Sequence, residues 1–169
     1  MADVERPPDA VLAECRAILA RGSKSFAAAS RLLPARLRDP VAAYYAFCRV
    51  SDDAVDESDD PAGALDELTR RLDRALEGRP EDYPADRGLA WVARAHSIPR
   101  APLCALLEGY LWDVERRRYE DLSGVRAYSA RVAGSVGVVM TLLMGAARSR
   151  RPPPRGGPRR GHAAHEHRA

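Results

Sequence analysis

Apolar residues in this chain recur three and four apart almost from end to end, and that spacing admits little besides helices. Leu65, Leu68, Leu72 and Leu76 share one face, as do Val11, Leu12, Cys15, Ile18 and Leu19, and again Leu103, Leu106, Leu107, Tyr110, Leu111 and Val114. Period-two alternation of Val, Ile and Thr is nearly absent, and aromatics make up only 6% of residues. The pattern predicts an all-α bundle. With 169 residues at 46% hydrophobic content, the chain has enough apolar material for one core and too little for two.

Glycine, proline and capping residues set the expected boundaries. Gly22 closes the first helix and Pro34 stops a short second one. Asp39 with Pro40 reads as an N-cap and a first-position proline, opening the helix that carries residues 44–56. Pro61 opens the next, which ends near Gly78, and residues 79–88 read as a loop. Residues 89–96 and about 102–119 follow as helices. The last spans 128–145, with Ser123 as cap and Val132, Val136, Val139, Met140 and Leu143 facing inward. Cys15, Cys48 and Cys104 sit far apart in apolar patterns and read as reduced core residues.

The net charge of +3 conceals a division. Residues 148–169 hold seven arginines against one acid, Glu166, so they carry +6 and residues 1–147 carry −3. That segment, rich in Pro and Gly, offers neither a helix nor apolar area to bury, and is expected to be a disordered Arg/Pro/His-rich tail on a domain of residues 1–147. His162, His165 and His167 within it lack the fixed geometry a metal site needs. Neither a signal peptide nor an apolar run of about 18 residues is visible, which predicts a cytoplasmic protein.

The chemistry concentrates in residues 44–56. At 100° per residue, Tyr45, Arg49, Asp52, Asp53 and Asp56 fall within roughly 100° of arc on one helix face. Carboxylates so placed repel one another. Mg²⁺, which binds one or two carboxylates and keeps its other positions for water and phosphate oxygens, relieves that repulsion and brings in a phosphorylated ligand. Acid-rich helix faces are usually only solvated, but this one continues an apolar segment and has an arginine one turn before it. Both features favour a diphosphate site.

Two further motifs are ambiguous alone. Ser23, Lys24, Ser25 and Phe26 precede a helix and could offer hydroxyls and N–H groups to phosphate, yet Ser is an ordinary cap. Gly134 and Gly137 lie mid-helix, where glycine costs about 1 kcal/mol against alanine. Something is therefore expected to approach closely there, either a neighbouring helix or an elongated apolar ligand.

Taken together, Ser23 to Phe26, Leu32-Leu33-Pro34, Tyr44 to Arg49, Asp52 to Asp56, Gly109 to Asp113, and Tyr128 with Val132 to Gly137 resemble the squalene/phytoene synthase family in order and spacing, most closely its bacterial phytoene synthases. The resemblance implies an isoprenoid synthase helical fold and head-to-head condensation of two geranylgeranyl diphosphates to phytoene through a cyclopropyl intermediate. By motif, Asp52, Asp53 and Asp56 would bind Mg²⁺ or Mn²⁺. Arg49, Tyr45, Ser23, Ser25 and Phe26 would hold the diphosphate or line its site. Tyr128, Val132, Val136 and Gly137 would line the tunnel for the prenyl chains.

The family also carries a second aspartate-rich motif, of the form Gln-Leu-Thr-Asn-Ile-x-Arg-Asp, that these 169 residues do not contain. Only the N-terminal half of the fold is therefore expected, with little or no activity. Residues 162–169 permit a codon set whose shifted frame spells Met-Gln-Leu-Thr-Asn-Ile-Ala-Arg and the start of an Asp codon, so a reading-frame change is one expected origin of the tail. The alternatives are a squalene or dehydrosqualene synthase using farnesyl diphosphate, and a non-catalytic prenyl-diphosphate binder. Nucleic acid is not an expected partner, since only the tail is basic enough and the aspartate face opposes it. A lipid-like product is compatible with peripheral membrane contact, and the sequence leaves the oligomeric state open.

Overall fold

A computed structural model of the protein describes residues 5–145. The segment 148–169, with its expected disorder and its histidines, lies outside the described residues. Within them the chain is helical and strand-free, as the spacing predicts. The elements are α1 (Asp9–Gly22), α2 (Lys24–Ser30), α3 (Ala35–Asp56), α4 (Pro61–Leu76), α5 (Pro84–Ala95), α6 (Arg100–Val114), α7 (Leu122–Ser129) and α8 (Ser135–Leu143). The last two are fused through a π-helical turn, Ala130–Gly134. No helix among the described residues is long and apolar enough to cross a membrane.

Helix α3 is the axis of the bundle. Leu37, Val41, Ala42, Ala43, Tyr44, Ala46 and Phe47 bury its first half on nearly every side, with α1, α4, α5, α6 and α8 packed around it. The three alanines let neighbours come close. At Gly88 of α5 a Cβ would lie 3.1 Å from Ala43 Cβ and 3.2 Å from Cys15 Sγ, so glycine there sets the spacing of α1, α3 and α5. Leu68 and Leu72 of α4, Leu89 and Val92 of α5, and Leu103 and Leu106 of α6 complete the core. Beyond Phe47, only Ser51 and Val55 of α3 are buried. The rest of its last two turns opens onto a cleft and solvent.

Several boundaries differ from the sequence expectation, each for a local reason. Helix α3 starts at Ala35, and Pro40 lies inside it with its ring buried. Asp39 is not a cap: it accepts from Arg6, at 2.8 Å, and from Arg16. Helix α5 begins at Pro84 instead of near 89, because proline suits the first helical position and Gly88 is required by packing. Helix α6 ends at Val114 because Arg116 adopts a left-handed backbone, φ 49°. Asp121, not Ser123, caps the next helix, accepting from the Gly124 N–H at 2.8 Å. The cysteines are free as expected, with Cys15 buried and Cys48 and Cys104 half-buried.

One buried ion pair ties α4 to α5. Arg71 donates from Nε and Nη2 to the two oxygens of Asp86, each at 2.8 Å, and the side chains are only 12% and 2% exposed. This fork is the strong form of the pair. Loss of either partner strands a buried charge. Asp86→Ala is therefore expected to lower the unfolding free energy by about 3–5 kcal/mol in urea titration, while Asp9→Ala, which removes an exposed partner of Arg6, should leave it almost unchanged. Equal losses in the two variants would contradict this packing.

Candidate active site

The cleft lies between α3, α6 and the α7–α8 rod, with Phe26 of α2 at its side, and encloses about 350 Å³. Arg49, Asp52, Asp113 and Tyr128 form a polar mouth; Phe26, Val41, Leu106, Val132, Val136 and Met140 form apolar walls. Of the site residues expected from sequence, Tyr45, Arg49, Asp52, Phe26, Tyr128, Val132 and Val136 meet here. Ser23, Ser25, Asp53, Asp56 and Gly137 are not among the lining residues.

At the mouth, Arg49 donates from Nε to Asp53 Oδ2 at 3.0 Å, closes a second short contact to Asp53, and lies 3.8 Å from Asp52. Asp53 is thus engaged by arginine. Burial, followed by repulsion from Asp56, raises the pKa of Asp52. Asp56, one turn on, is exposed. No three His, Cys, Asp or Glu side chains among the described residues converge into a metal cage. The donor set still suits Mg²⁺, since Asp52 and Asp56 sit at i and i+4 on one face and that ion takes its remaining oxygens from phosphate and water.

Tyr45 is fixed from both sides. Its ring lies 5.4 Å from that of Phe26, and a Cβ on Gly22 would sit 2.6 Å from its hydroxyl and 3.3 Å from Arg49 Cδ. Gly22, which the sequence marks only as a helix stop, is therefore the seat on which Tyr45 and Arg49 rest. Ser23 is an N-cap, its Oγ accepting from the Phe26 N–H at 3.2 Å, with Ser25 Oγ 3.3 Å away. That bond helps to place Phe26.

On the facing wall Tyr128 donates its hydroxyl to Asp113 Oδ2 at 2.9 Å, and its ring extends a stack through Tyr119 to Trp112. Burial, then the Asp113 bond, pushes the Tyr128 phenol up to about 12, so it remains protonated at neutral pH. At the base, Tyr110 donates to the Cys48 carbonyl at 3.1 Å, and Tyr44 Oη is buried without a partner among the described residues. Burial pushes the Cys48 thiol up to about 12, which leaves it a neutral wall group.

The π turn aligns this wall. In an α-helix, positions four apart drift by about 40°, so Tyr128, Val132, Val136 and Met140 would spread over roughly 120°. The wider turn takes up the surplus residue, and all four line the cleft. The close approach expected at Gly134 and Gly137 occurs elsewhere. A Cβ on Gly137 meets nothing within 4 Å and one on Gly134 only atoms at 3.8 Å, whereas on Gly109 of α6 it would lie 2.5 Å from Val132 Cγ1. Gly109 and Asp113 carry no site role in the sequence reading, although both fall in the Gly109 to Asp113 motif.

Residues 19–168 match the model of the family described as squalene/phytoene synthase. The chain belongs to that family. It is 53% identical over 133 residues to a phytoene synthase of Rhodobacter capsulatus and 49% identical over 140 to one of Cereibacter sphaeroides, covering 77% of this chain in each case. It spans 39% of the length of those two relatives. A crystal structure of a dehydrosqualene synthase in complex with ligand aligns over 80% of this chain and 47% of its own, at 34% identity and TM-score 0.74. A squalene synthase from Alicyclobacillus acidocaldarius aligns over 82% and 54%, at 29% and 0.75. The fold is thus the isoprenoid synthase helical fold of these family members.

The two glycine environments give opposite expectations for urea unfolding. Gly109→Ala should destabilise the protein by about 1–3 kcal/mol through overpacking against Val132, and Gly137→Ala should stabilise it by roughly 0.5–1 kcal/mol because the helix gains and nothing clashes. Stabilisation by both would contradict the close α6 contact.

Proposed function

We propose that this chain carries a prenyl-diphosphate-binding and ionising site of a phytoene synthase-type transferase, acting on geranylgeranyl diphosphate with Mg²⁺ or Mn²⁺ in carotenoid biosynthesis. The observation that carries this reading is one cleft in which a cationic and acidic mouth of Arg49 and Asp52 opens directly into an apolar wall of Phe26, Val132, Val136 and Met140. The phytoene synthase names of the relatives in Rhodobacter capsulatus and Cereibacter sphaeroides support the product class.

The residues divide the work. Asp52 and Asp56 would hold the cation, which when bound neutralises charge on the departing diphosphate. Arg49 would donate to the diphosphate oxygens, its pairing with Asp53 aiming the guanidinium along the helix face. Phe26, Val132, Val136 and Met140 would keep water from the allylic cation left behind. Tyr128, protonated and held by Asp113, would present a fixed phenol at the boundary between the two regions. The second condensation partner and its own aspartate motif are not supplied by the residues named here. We further propose that the protein works at the cytoplasmic surface of a membrane, where such a chain and its product partition.

Calorimetry with the 169-residue chain tests this. Geranylgeranyl diphosphate should bind only with Mg²⁺, and Asp52→Asn or Arg49→Ala should weaken binding about 10- to 100-fold, the range for one charged hydrogen-bond partner. Binding of equal strength without Mg²⁺ would contradict the site, and a preference for farnesyl diphosphate would favour the squalene-type alternative. Turnover by this chain alone should be weak or absent, so robust phytoene formation would overturn the need for a second aspartate face.

A further inference from the structure

The turn between α2 and α3 has no part in the cleft. Leu32 stands at its tip 88% exposed, the most exposed large apolar side chain among the described residues. The turn is nevertheless held firmly. The N–H groups of Arg31, Leu32 and Leu33 donate to the carbonyls of Ala28, Ala29 and Ser30 at 3.0–3.2 Å, and Arg38 donates to the carbonyls of Leu33 and Arg31 at 3.0 and 2.9 Å. Leu32 is therefore presented outward by the fold. No loose loop is involved.

Its surroundings are strongly one-signed. Residues 16–38 contain six basic side chains and no acidic one. Arg16 and Arg21 are paired, with Asp39 and Glu14; Lys24, Arg31 and Arg36 are exposed and form no ion pair among the described residues. Arg31 and Arg36 adjoin the turn, whereas Lys24 lies at the far end of α2. An apolar tip between two unpaired cations matches the interface of an anionic bilayer, where the cations meet lipid headgroups and the tip enters the acyl boundary. Nucleic acid would satisfy the cations and leave Leu32 without a partner.

Position adds a second argument. Helix α3 runs from this turn to the aspartates, and its 22 residues span about 33 Å. The basic tip and the acidic mouth thus occupy opposite ends of one rod. Phe26 and Val41, on the two helices that the turn joins, belong to the apolar part of the cleft.

We propose that the Leu32 turn, with Arg31 and Arg36, is a docking surface for an anionic lipid bilayer, which sets the apolar end of the cleft towards the membrane and the aspartate end towards water. This rests on the proposed prenyl-diphosphate function for its purpose, but its test does not. Co-sedimentation of the full chain with vesicles of equal phosphatidylglycerol and phosphatidylcholine, without diphosphate or divalent cation, should show binding that pure phosphatidylcholine vesicles do not. Leu32→Ser should weaken it about tenfold, the equivalent of one buried leucine, and Arg31→Gln and Arg36→Gln about fivefold each at low salt. Leu32→Ser should leave Mg²⁺-dependent geranylgeranyl diphosphate binding and thermal stability unchanged, which separates a docking failure from a failure of the cleft. Unchanged vesicle binding in Leu32→Ser would overturn the proposal and assign the contact to the arginines of residues 148–169. Binding of duplex DNA in preference to both vesicles would overturn it as well.

Discussion

The close packing of the first half of α3 against α1 and α5 determines where every other feature lies. Ala42, Ala43 and Ala46 give that helix a slim surface, and Gly88 with Cys15 fills the space that remains. A helix so enclosed cannot shift along its axis without overlapping neighbours, because protein interiors pack with few voids. Its last two turns are therefore delivered to a fixed place. The aspartates can crowd together there despite their repulsion because the packing energy of the buried half, about 1.5–3 kcal/mol for each large apolar side chain, exceeds the cost of a few partly solvated like charges.

The cleft follows from the same constraint applied to the opposite wall. The α7–α8 rod is half-buried at best, and only Ser135, Val139 and Leu143 of α8 are fully covered. It is located by Gly109 against Val132, by Tyr128 against Asp113, and by Arg131, which pairs with Glu108 at 3.1 Å and lies 4.1 Å from the centre of the Trp112 ring. These contacts all run to α6. The aspartate face of α3 and the α7–α8 wall are thus located by different contacts, and α6 joins them through Tyr110, which reaches the Cys48 carbonyl.

Much of this was legible in the sequence where the signal is local. The leucine face of α4 was, because three-to-four spacing survives whatever packs against it; so was the meeting of Tyr45, Arg49 and Asp52 in one cleft, because the three share one helix face. Long-range contacts were not. Nothing near Asp39 announces that Arg6 and Arg16 will take its carboxylate, so a cap was the better local reading. Pro40 inside a helix contradicts propensity and is tolerated because its ring is buried. The π turn leaves no local mark either: its evidence is the four-residue spacing of Tyr128, Val132, Val136 and Met140, which makes sense only once they line one cleft. Gly109 and Gly137 look alike in sequence and differ in what faces them. Gly22 looks locally like a stop, because its second role, under Tyr45 and Arg49, depends on α3.

The central claim is that the α3 face takes a divalent cation together with a diphosphate, and not as a preformed metal site. Paramagnetic resonance of Mn²⁺ with the 169-residue chain tests this most directly, with and without geranylgeranyl thiodiphosphate. The account predicts that the chain alone leaves the free-ion signal intact, that chain and analogue together lower it beyond the fall given by the analogue alone, and that Asp52→Asn removes the excess. Equal Mn²⁺ binding without the analogue, or no excess with it, would contradict the account.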